Sequence, residues 1–148
     1  MRKRLLLIGP SDEENSELLY FLENKTSLRI RPSITYYDKT ILFPSTYLRS
    51  PWMKKYLIAM QQNAYLVLML ASCKSKRGIY SPNFAKAFRA PTIGVILYDE
   101  TQSKERVSGC KMELVNAGVD ETVELNLKNS VECDRFLQKI KLDKEGSS

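Results

Sequence analysis

The fold is decided by the stretch Lys3-Arg4-Leu5-Leu6-Leu7-Ile8-Gly9-Pro10-Ser11-Asp12-Glu13-Glu14-Asn15-Ser16. Its first part ends in four consecutive apolar side chains, which is typical of a strand that is buried on both faces. Glu17-Leu18-Leu19-Tyr20 follows the polar residues and predicts a helix. A strand, a short turn and a helix in this order predict the first unit of an α/β fold with parallel strands.

The turn has the frame of a phosphate-binding loop but lacks the residues that hold phosphate. In the pattern G-x-x-x-x-G-K-[ST], Gly9 matches the first Gly and Ser16 the hydroxyl residue. Glu14 and Asn15 stand where the second Gly and the Lys are required. The candidate cofactor-binding residues of this vestigial phosphate loop are therefore Gly9, Ser11 and Ser16.

Three carboxylates, from Asp12, Glu13 and Glu14, lie where a polyanion would bind. Two unit charges about 5 Å apart repel by roughly 1 to 3 kcal/mol at effective dielectric constants of about 80 to 20. The same residues fit a capping box, in which Ser11 caps the helix and the Glu14 side chain reaches back to the Ser11 N–H. The sequence thus predicts a capped helix and no cofactor; if one binds, it is Mg-GTP or Mg-ATP, held weakly.

The amino-acid composition excludes several classes of function. A chain of 148 residues, 43% hydrophobic and 27% charged, is long enough for one globular domain with a proper core. The absence of His excludes imidazole general-base catalysis, Ser-His triads and His-ligated metals, and we predict neither a catalytic residue nor a metal site. The net charge of +6 comes from dispersed basic residues without a recognition motif, so no nucleic acid partner is expected.

The cysteines and the first residues of the chain predict the cellular compartment of the protein. Cys73, Cys110 and Cys133 are widely spaced and odd in number, which predicts no disulfide or metal framework and a reducing cytoplasm. The apolar run that follows the basic first residues ends at Pro10, which is too short for a signal peptide or a membrane span. We expect a cytoplasmic protein without membrane contact.

Strand and helix patterns alternate along the rest of the chain. The sequence predicts strands in 28–37, 39–43, 64–71, 91–98 and 121–125, and helices in 52–62, 82–88, 103–117 and 130–141. This spacing indicates βαβ units in an α/β fold, with an open, mainly parallel sheet and helices on both faces. Residues 1–143 are expected to form a single domain, and 144–148 a flexible tail.

These segments resemble the family of ethanolamine-utilisation protein P and propanediol-utilisation protein V, which are GTPase-like phosphate-loop proteins encoded with bacterial microcompartment systems. Where the family has Asp-Thr-Pro-Gly-Glu-Tyr-Leu, this chain has Leu42-Phe43-Pro44-Ser45-Thr46-Tyr47-Leu48, and Pro51-Trp52 follows at the family's spacing. Ser81-Pro82-Asn83-Phe84-Ala85 is similar to the family's Pro-Pro-Gly-Phe-Ala segment, and Pro91-Thr92-Ile93-Gly94-Val95 to its Pro-Val-Ile-Gly-Val strand. The resemblance implies a small-GTPase-like three-layer sandwich.

The chain departs from this family wherever the resemblance implies nucleotide chemistry. Leu42 replaces the Asp that would hold magnesium through water, and Ser45 replaces the Gly whose N–H would meet the γ-phosphate. Leu97-Tyr98-Asp99-Glu100 replaces the family's base-reading Thr-Lys-x-Asp. Tyr98 and Glu100 imitate the family's Lys and Asp only loosely. Asp99 and Glu100 are expected simply to end the strand. These losses predict a non-catalytic, degenerate GTPase scaffold that acts through protein interactions.

The resemblance implies that the partner is a microcompartment shell protein or an enzyme of the ethanolamine or propanediol pathway, with microcompartment association. The candidate contact residues are Tyr36, Tyr37, Tyr47 and the basic segment 74–77, although a tyrosine pair on a strand also fits packing against a helix. Trp52 is expected in the core.

Two other functions stay open at this point. A divergent nucleotide-binding enzyme would hydrolyse ATP or GTP slowly, using Gly9, Ser11 and Ser16 with backbone donors. A receiver-like signalling domain would use Asp12 and Glu13 for magnesium. It would also need a phosphorylatable Asp at the end of its third strand, which the candidate strand ends do not supply.

Overall fold

A computed structural model describes residues 3–73 and 80–146, and within them the chain forms one six-stranded sheet. The strands are β1 (Arg4–Ile8), β2 (Thr35–Tyr36), β3 (Thr40–Leu42), β4 (Ala64–Ser72), β5 (Thr92–Leu97) and β6 (Glu121–Leu125). They lie in the order β2-β3-β1-β4-β5-β6, and every neighbouring pair is parallel except β2 with β3. The predicted open, mainly parallel sheet is confirmed.

Helices cover both faces of this sheet, as predicted. They are α1 (Asp12–Glu23), α2 (Ser45–Leu48), α3 (Lys54–Met60), α4 (Lys104–Asn116) and α5 (Ser130–Gly146), with short 3₁₀ turns at Pro51–Met53, Gln61–Asn63 and Phe84–Ala87. Helices α1 and α5 pack in the apolar cluster on one face, and α2, α3 and α4 pack in the cluster on the other. Among the described residues, no helix combines the length and the apolar composition that crossing a membrane requires.

Strand β1 shows why the fold needs a continuous apolar run. Leu5 and Leu7 pack on the face of α1 and α5, whereas Leu6 and Ile8 pack on the face of α3 and α4. All four are buried, because successive side chains of a strand point to opposite faces and both faces are covered. Since β1 pairs with β3 on one side and β4 on the other, it delivers Gly9 to the middle of the carboxyl edge of the sheet.

Two predicted elements are much shorter in the structure, and the predicted helix at 52–62 is α-helical only over Lys54–Met60, between two 3₁₀ turns. The predicted strand at 28–37 is reduced to Thr35–Tyr36, because Pro32 has no N–H to donate and the residues before it bury too little surface to hold a strand. The predicted helix at 82–88 is a single 3₁₀ turn, Phe84–Ala87, which begins after Asn83 with a positive φ of 64°.

The end of the last helix differs from the prediction. Helix α5 was predicted to end at Lys141 but continues to Gly146, and so takes in residues 144–146 of the predicted tail. The added residues are mostly good helix formers, and no Pro interrupts them. Residues 147–148 and the basic segment 74–77 lie outside the described residues.

Helix α4 is held close to β5 because Gly94 has no side chain. A Cβ at this position would lie 2.7 Å from Leu114 Cδ1 and 3.0 Å from Leu114 Cβ. Leu114 is fully buried, so it has no free space into which it can move. Gly94 therefore determines how closely the helix packs on the sheet.

We predict that Gly94→Ala lowers the free energy of unfolding by about 1–3 kcal/mol, the usual cost of overpacking a core. Urea unfolding followed by circular dichroism measures this. Gly109→Ala is the matched control, because nothing lies within 4 Å of a Cβ on this helical glycine and the change should stabilise α4 by up to about 1 kcal/mol. Equal stability of Gly94→Ala and wild type would contradict this account of the packing.

Candidate functional site: the loop after strand β1

The candidate phosphate loop is short, and helix α1 begins inside the predicted motif. Only Gly9, Pro10 and Ser11 separate β1 from the first helical residue. Ser11 has extended backbone angles, and its Oγ accepts a hydrogen bond from the Glu14 N–H at 3.4 Å. The Ser11 carbonyl accepts from the Asn15 N–H at 2.9 Å. The predicted N-cap is confirmed, and two N–H groups within the motif are already bound by the chain itself.

The Asn15 side chain fills the interior of the loop. It is 1% exposed, and its Nδ2 donates a hydrogen bond to the Gly9 carbonyl at 3.1 Å. A Cβ on Gly9 would lie 2.2 Å from Asn15 Oδ1 and 2.8 Å from Leu70 Cβ, so no other residue fits at this position without displacement. The amide therefore lies at the position where the phosphate-loop pattern requires a Lys.

The Glu14 carboxylate is buried and binds to the end of strand β4. It is 6% exposed, and its Oε1 accepts a hydrogen bond from the Ser72 hydroxyl. The prediction that Glu14 reaches back to the Ser11 N–H was wrong. The side chain instead turns into the interior, where a buried carboxylate requires hydrogen-bond donors and Ser72 supplies one.

Asp12 binds the segment in which the resemblance places a γ-phosphate contact. Its Oδ1 accepts a hydrogen bond from the Ser45 N–H at 3.1 Å. Next to it, Arg49 Nη2 donates to the Pro10 carbonyl at 2.6 Å. Both contacts join the loop to α2 and to Arg49, the residue that caps its C-terminus. The Ser45 N–H, which would donate to a phosphate oxygen, is therefore already bound to an oxygen of the chain itself.

The three candidate cofactor-binding residues come together but are engaged within the chain. The Ser16 hydroxyl, which would hold magnesium in a working loop, donates to the Asp12 carbonyl at 2.7 Å. The Gly9 carbonyl and the Ser11 hydroxyl accept the hydrogen bonds described above. Among residues 3–73 and 80–146, His, Cys, Asp and Glu side chains form no group of three or more that could hold a metal ion.

The segment that would read a base is also occupied by contacts of its own. The Tyr98 hydroxyl donates to Glu132 on α5 at 2.8 Å, and this hydrogen bond, with burial and the neighbouring negative charge, raises the pKa of Tyr98 to about 12. Asp99 Oδ1 accepts from the Thr101 N–H at 2.8 Å, which is a turn contact. A cavity of about 110 Å³ lies between this segment and Glu14, and a second, open cavity of about 530 Å³ is lined in part by Asp99 and Thr101.

Two of the cysteines meet in the structure, although the sequence predicted no such pair. Cys73 directly follows β4 and Cys110 lies on α4, with their sulfur atoms 3.1 Å apart and both side chains buried. Both residues are free thiols. The contact with Cys110 and burial raise the pKa of the Cys73 thiol. Their separation of 37 positions in the chain hid this contact, which depends on how α4 packs on the sheet.

The aromatic candidates are placed differently from the prediction. Trp52 is 69% exposed, so its predicted place in the core was wrong. Trp52, Tyr56 and Met60 are spaced four residues apart, but the buried side chain of α3 is Leu57, and the partly buried Met60 packs against the same cluster. Tyr36 is 46% exposed, whereas Tyr37 and Tyr47 are partly buried.

The sequence is 26% identical over 117 residues to the propanediol utilization protein PduV of Citrobacter freundii, and the alignment covers 78% of each chain.

The fold is similar to that of translation elongation factor SelB from Methanococcus maripaludis. The TM-score is 0.60 to the complex with the GTP analogue GppNHp, at 13% identity and 98% coverage of this chain. For the apo form these values are 0.55, 11% and 95%. The chain spans only 35% of the length of either SelB structure.

A family model described as "Ethanolamine utilisation - propanediol utilisation" (PduV-EutP) matches residues 2–142, almost the whole sequence. The chain therefore belongs to the PduV-EutP family, which is associated with ethanolamine and propanediol utilisation, on a GTPase-like fold.

Proposed function

We propose that this protein is a non-catalytic, GTPase-like member of its family, which acts through protein interactions and binds nucleotide weakly or not at all. The observation that carries the proposal is the state of the loop after β1, where side chains of the chain itself occupy the groups a phosphate would need. Asn15 lies inside the loop, and Asp12 binds the Ser45 N–H. The scaffold of a nucleotide-binding protein is kept, while its ligand positions serve internal contacts.

Magnesium and a nucleoside triphosphate do not fit the residues at this site. Binding would require the Asp12 carboxylate to leave the Ser45 N–H, and a hydrogen bond to a charged group contributes about 1.5–3 kcal/mol. The buried Glu14 carboxylate would then face phosphate oxygens of the same charge. No Lys stands at the motif position to offset this repulsion. We therefore propose no cofactor and derive no hydrolytic step.

The proposed partner is a protein of the same metabolic system. Membership of the family places the chain with ethanolamine and propanediol utilisation. We propose that it binds a microcompartment shell protein or a pathway enzyme, in the cytoplasm and in association with the microcompartment. A fold that keeps its core without its ligand site retains its surface for such contacts.

The first prediction concerns nucleotide affinity. In isothermal titration, Mg-GTP and Mg-ATP should give no binding heat with the wild type up to millimolar concentration, which corresponds to a binding free energy weaker than about −4 kcal/mol. Glu14→Gly combined with Asn15→Lys empties the loop and restores the missing cation. We expect this double variant to bind Mg-GTP at least about tenfold more tightly.

A matched double variant separates the loop from general charge. Glu105→Gln with Asp134→Asn changes the net charge by the same amount, but these residues are exposed on α4 and α5, outside the loop. It should leave nucleotide affinity unchanged. Micromolar binding by the wild type would contradict the proposal and favour the alternative, a divergent enzyme that hydrolyses ATP or GTP slowly.

The second prediction tests whether Asn15 fills the loop. Gly9→Ala should lower the free energy of unfolding by about 1–3 kcal/mol, because the new Cβ meets Asn15 Oδ1 and Leu70 Cβ. In Asn15→Ala the first of these two obstacles is gone, so Gly9→Ala should cost less in that background. Urea unfolding of the four proteins in this double-mutant cycle measures the coupling. Strict additivity would show that the Asn15 amide does not occupy the loop interior.

A further inference from the structure

A line of exposed and partly buried apolar side chains runs from the 3₁₀ turn before helix α3, along α3, to the edge of the sheet. We call Trp52, Tyr56, Met60 and Tyr36 the aromatic stripe. Trp52, Tyr56 and Met60 are each four residues apart, and the Tyr36 hydroxyl donates to Met60 Sδ at 3.1 Å, which joins α3 to strand β2. The exposed fractions are 69% for Trp52, 44% for Tyr56 and 46% for Tyr36.

The exposed rings of the stripe are not required to anchor α3. Leu57 is fully buried, and the partly buried Met60 also packs against the core. Seven large apolar side chains are exposed among the described residues, and four of them, Ile30, Tyr36, Trp52 and Tyr56, fall within residues 24–63. Apolar side chains that gather on one part of a surface mark an interaction site more often than scattered ones do.

The same part of the chain accounts for the whole net positive charge of the protein. Residues 24–63 contain seven Lys and Arg and one Asp, which is an excess of six. The rest of the chain has sixteen basic and sixteen acidic residues and is neutral, so the net charge of +6 belongs to residues 24–63 alone. The seven basic residues are Lys25, Arg29, Arg31, Lys39, Arg49, Lys54 and Lys55, and six of them are exposed.

Basic groups lie directly against the stripe. The Arg4 guanidinium stands 5.5 Å from the centre of the Tyr36 ring, and Lys55 Nζ stands 5.3 Å from the centre of the Tyr56 ring. Within residues 3–73 and 80–146, no carboxylate forms an ion pair with either group. Arg4 is partly buried and its Nε donates to the Tyr37 carbonyl at 2.8 Å, so the exposed Lys55 is the cation that an acidic partner can reach most directly.

We propose that the aromatic stripe and these two cations form a docking surface for an acidic segment of a partner protein that also carries apolar side chains. The inference rests on the proposed function, because it specifies the chemistry of the protein partner. Charge complementarity selects an acidic segment, since the surface has a positive excess and opposite charges speed association and fix register. Strand β2 is an edge strand of the sheet, so its free backbone edge beside Tyr36 can accept a further peptide strand.

A protein segment fits this surface better than a nucleic acid. Single-stranded nucleic acids bind basic surfaces by stacking bases on free aromatic rings. On Tyr36 and Tyr56, one ring face already carries a cation of the chain, and Asn63 Nδ2 donates to the Tyr36 hydroxyl at 3.3 Å. Trp52 alone would remain for stacking with both faces clear of a described cation, which is too little for a strand of bases.

The test uses a short fluorescein-labelled peptide in which Glu alternates with Leu and Phe, titrated with the full chain at low salt and without nucleotide. We expect saturable binding by fluorescence anisotropy that weakens as salt is raised. Trp52 is the only tryptophan, so its emission should shift to the blue as the peptide covers it. Trp52→Ala should weaken binding about 30-fold, the size of a central anchor residue, and Lys55→Glu about tenfold.

Matched controls lie on α4, where an exposed lysine and an exposed apolar residue are also adjacent. Lys111→Glu and Met112→Ala should leave the affinity unchanged. A peptide with Lys in place of Glu should not bind. Absence of binding, equal losses in the α4 variants, or tighter binding of oligodeoxythymidine or of phosphatidylserine vesicles than of the acidic peptide would overturn the inference.

The two proposals fail separately. Peptide binding with micromolar Mg-GTP affinity would leave the docking surface standing and refute the loss of nucleotide binding. Nucleotide titrations without binding heat, together with no peptide binding, would refute the docking surface and leave the loss of nucleotide binding standing. All four single variants change exposed side chains, and circular dichroism of each variant checks that it folds.

Discussion

The structure depends on one constraint, which is that the polar groups at the start of helix α1 must be satisfied where three parallel strands end together. A nucleotide would satisfy them with phosphate oxygens. This chain uses its own atoms: the Ser11 hydroxyl accepts a hydrogen bond from the Glu14 N–H, and at the start of α2 the Asp12 carboxylate accepts one from the Ser45 N–H. Acidic side chains near a helix N-terminus are also favoured by the helix dipole. These N–H groups are therefore bound without a ligand, whereas the buried Asn15 Oδ1 has no hydrogen-bond partner among the described residues.

This arrangement explains how the fold of a nucleotide-binding protein persists without the ligand's residues. Asn15 packs against Gly9, and Glu14 binds Ser72 at the end of β4, so the substituted residues connect the loop to the neighbouring strand. Because Gly9 has no side chain, a phosphate could approach its backbone, and in this structure the Asn15 amide approaches it instead. The absence of a side chain at Gly9 is explained by the close packing of Asn15 and Leu70 against it.

Much of the fold could be predicted from the sequence, because buried parallel strands leave continuous apolar runs. Residues 5–8 and 64–71 show this most clearly, and the helix start at Ser11 was visible from its capping residue. What failed depended on tertiary contacts. The spacing of Trp52, Tyr56 and Met60 predicts a helix face but does not say which face turns inward, and Leu57 proved to be the buried residue.

The candidate site was predictable in its position but only partly in its contacts. The motif located Gly9, Ser11 and Ser16 at one loop, yet the partner of Asp12 on α2 and the meeting of Cys73 with Cys110 join segments that are more than thirty positions apart. Such pairs depend on how the helices pack on the sheet, which no local pattern records.

The central claim is that the chain's own side chains occupy the phosphate position. The most direct measurement follows the backbone amide signals of Gly9, Glu14, Asn15 and Ser45 in ¹⁵N-labelled protein while Mg-GppNHp is added to millimolar concentration. The account predicts that all four signals stay in place. Saturable shifts of these four signals together would contradict it, because they would show phosphate displacing the Asp12 and Asn15 side chains.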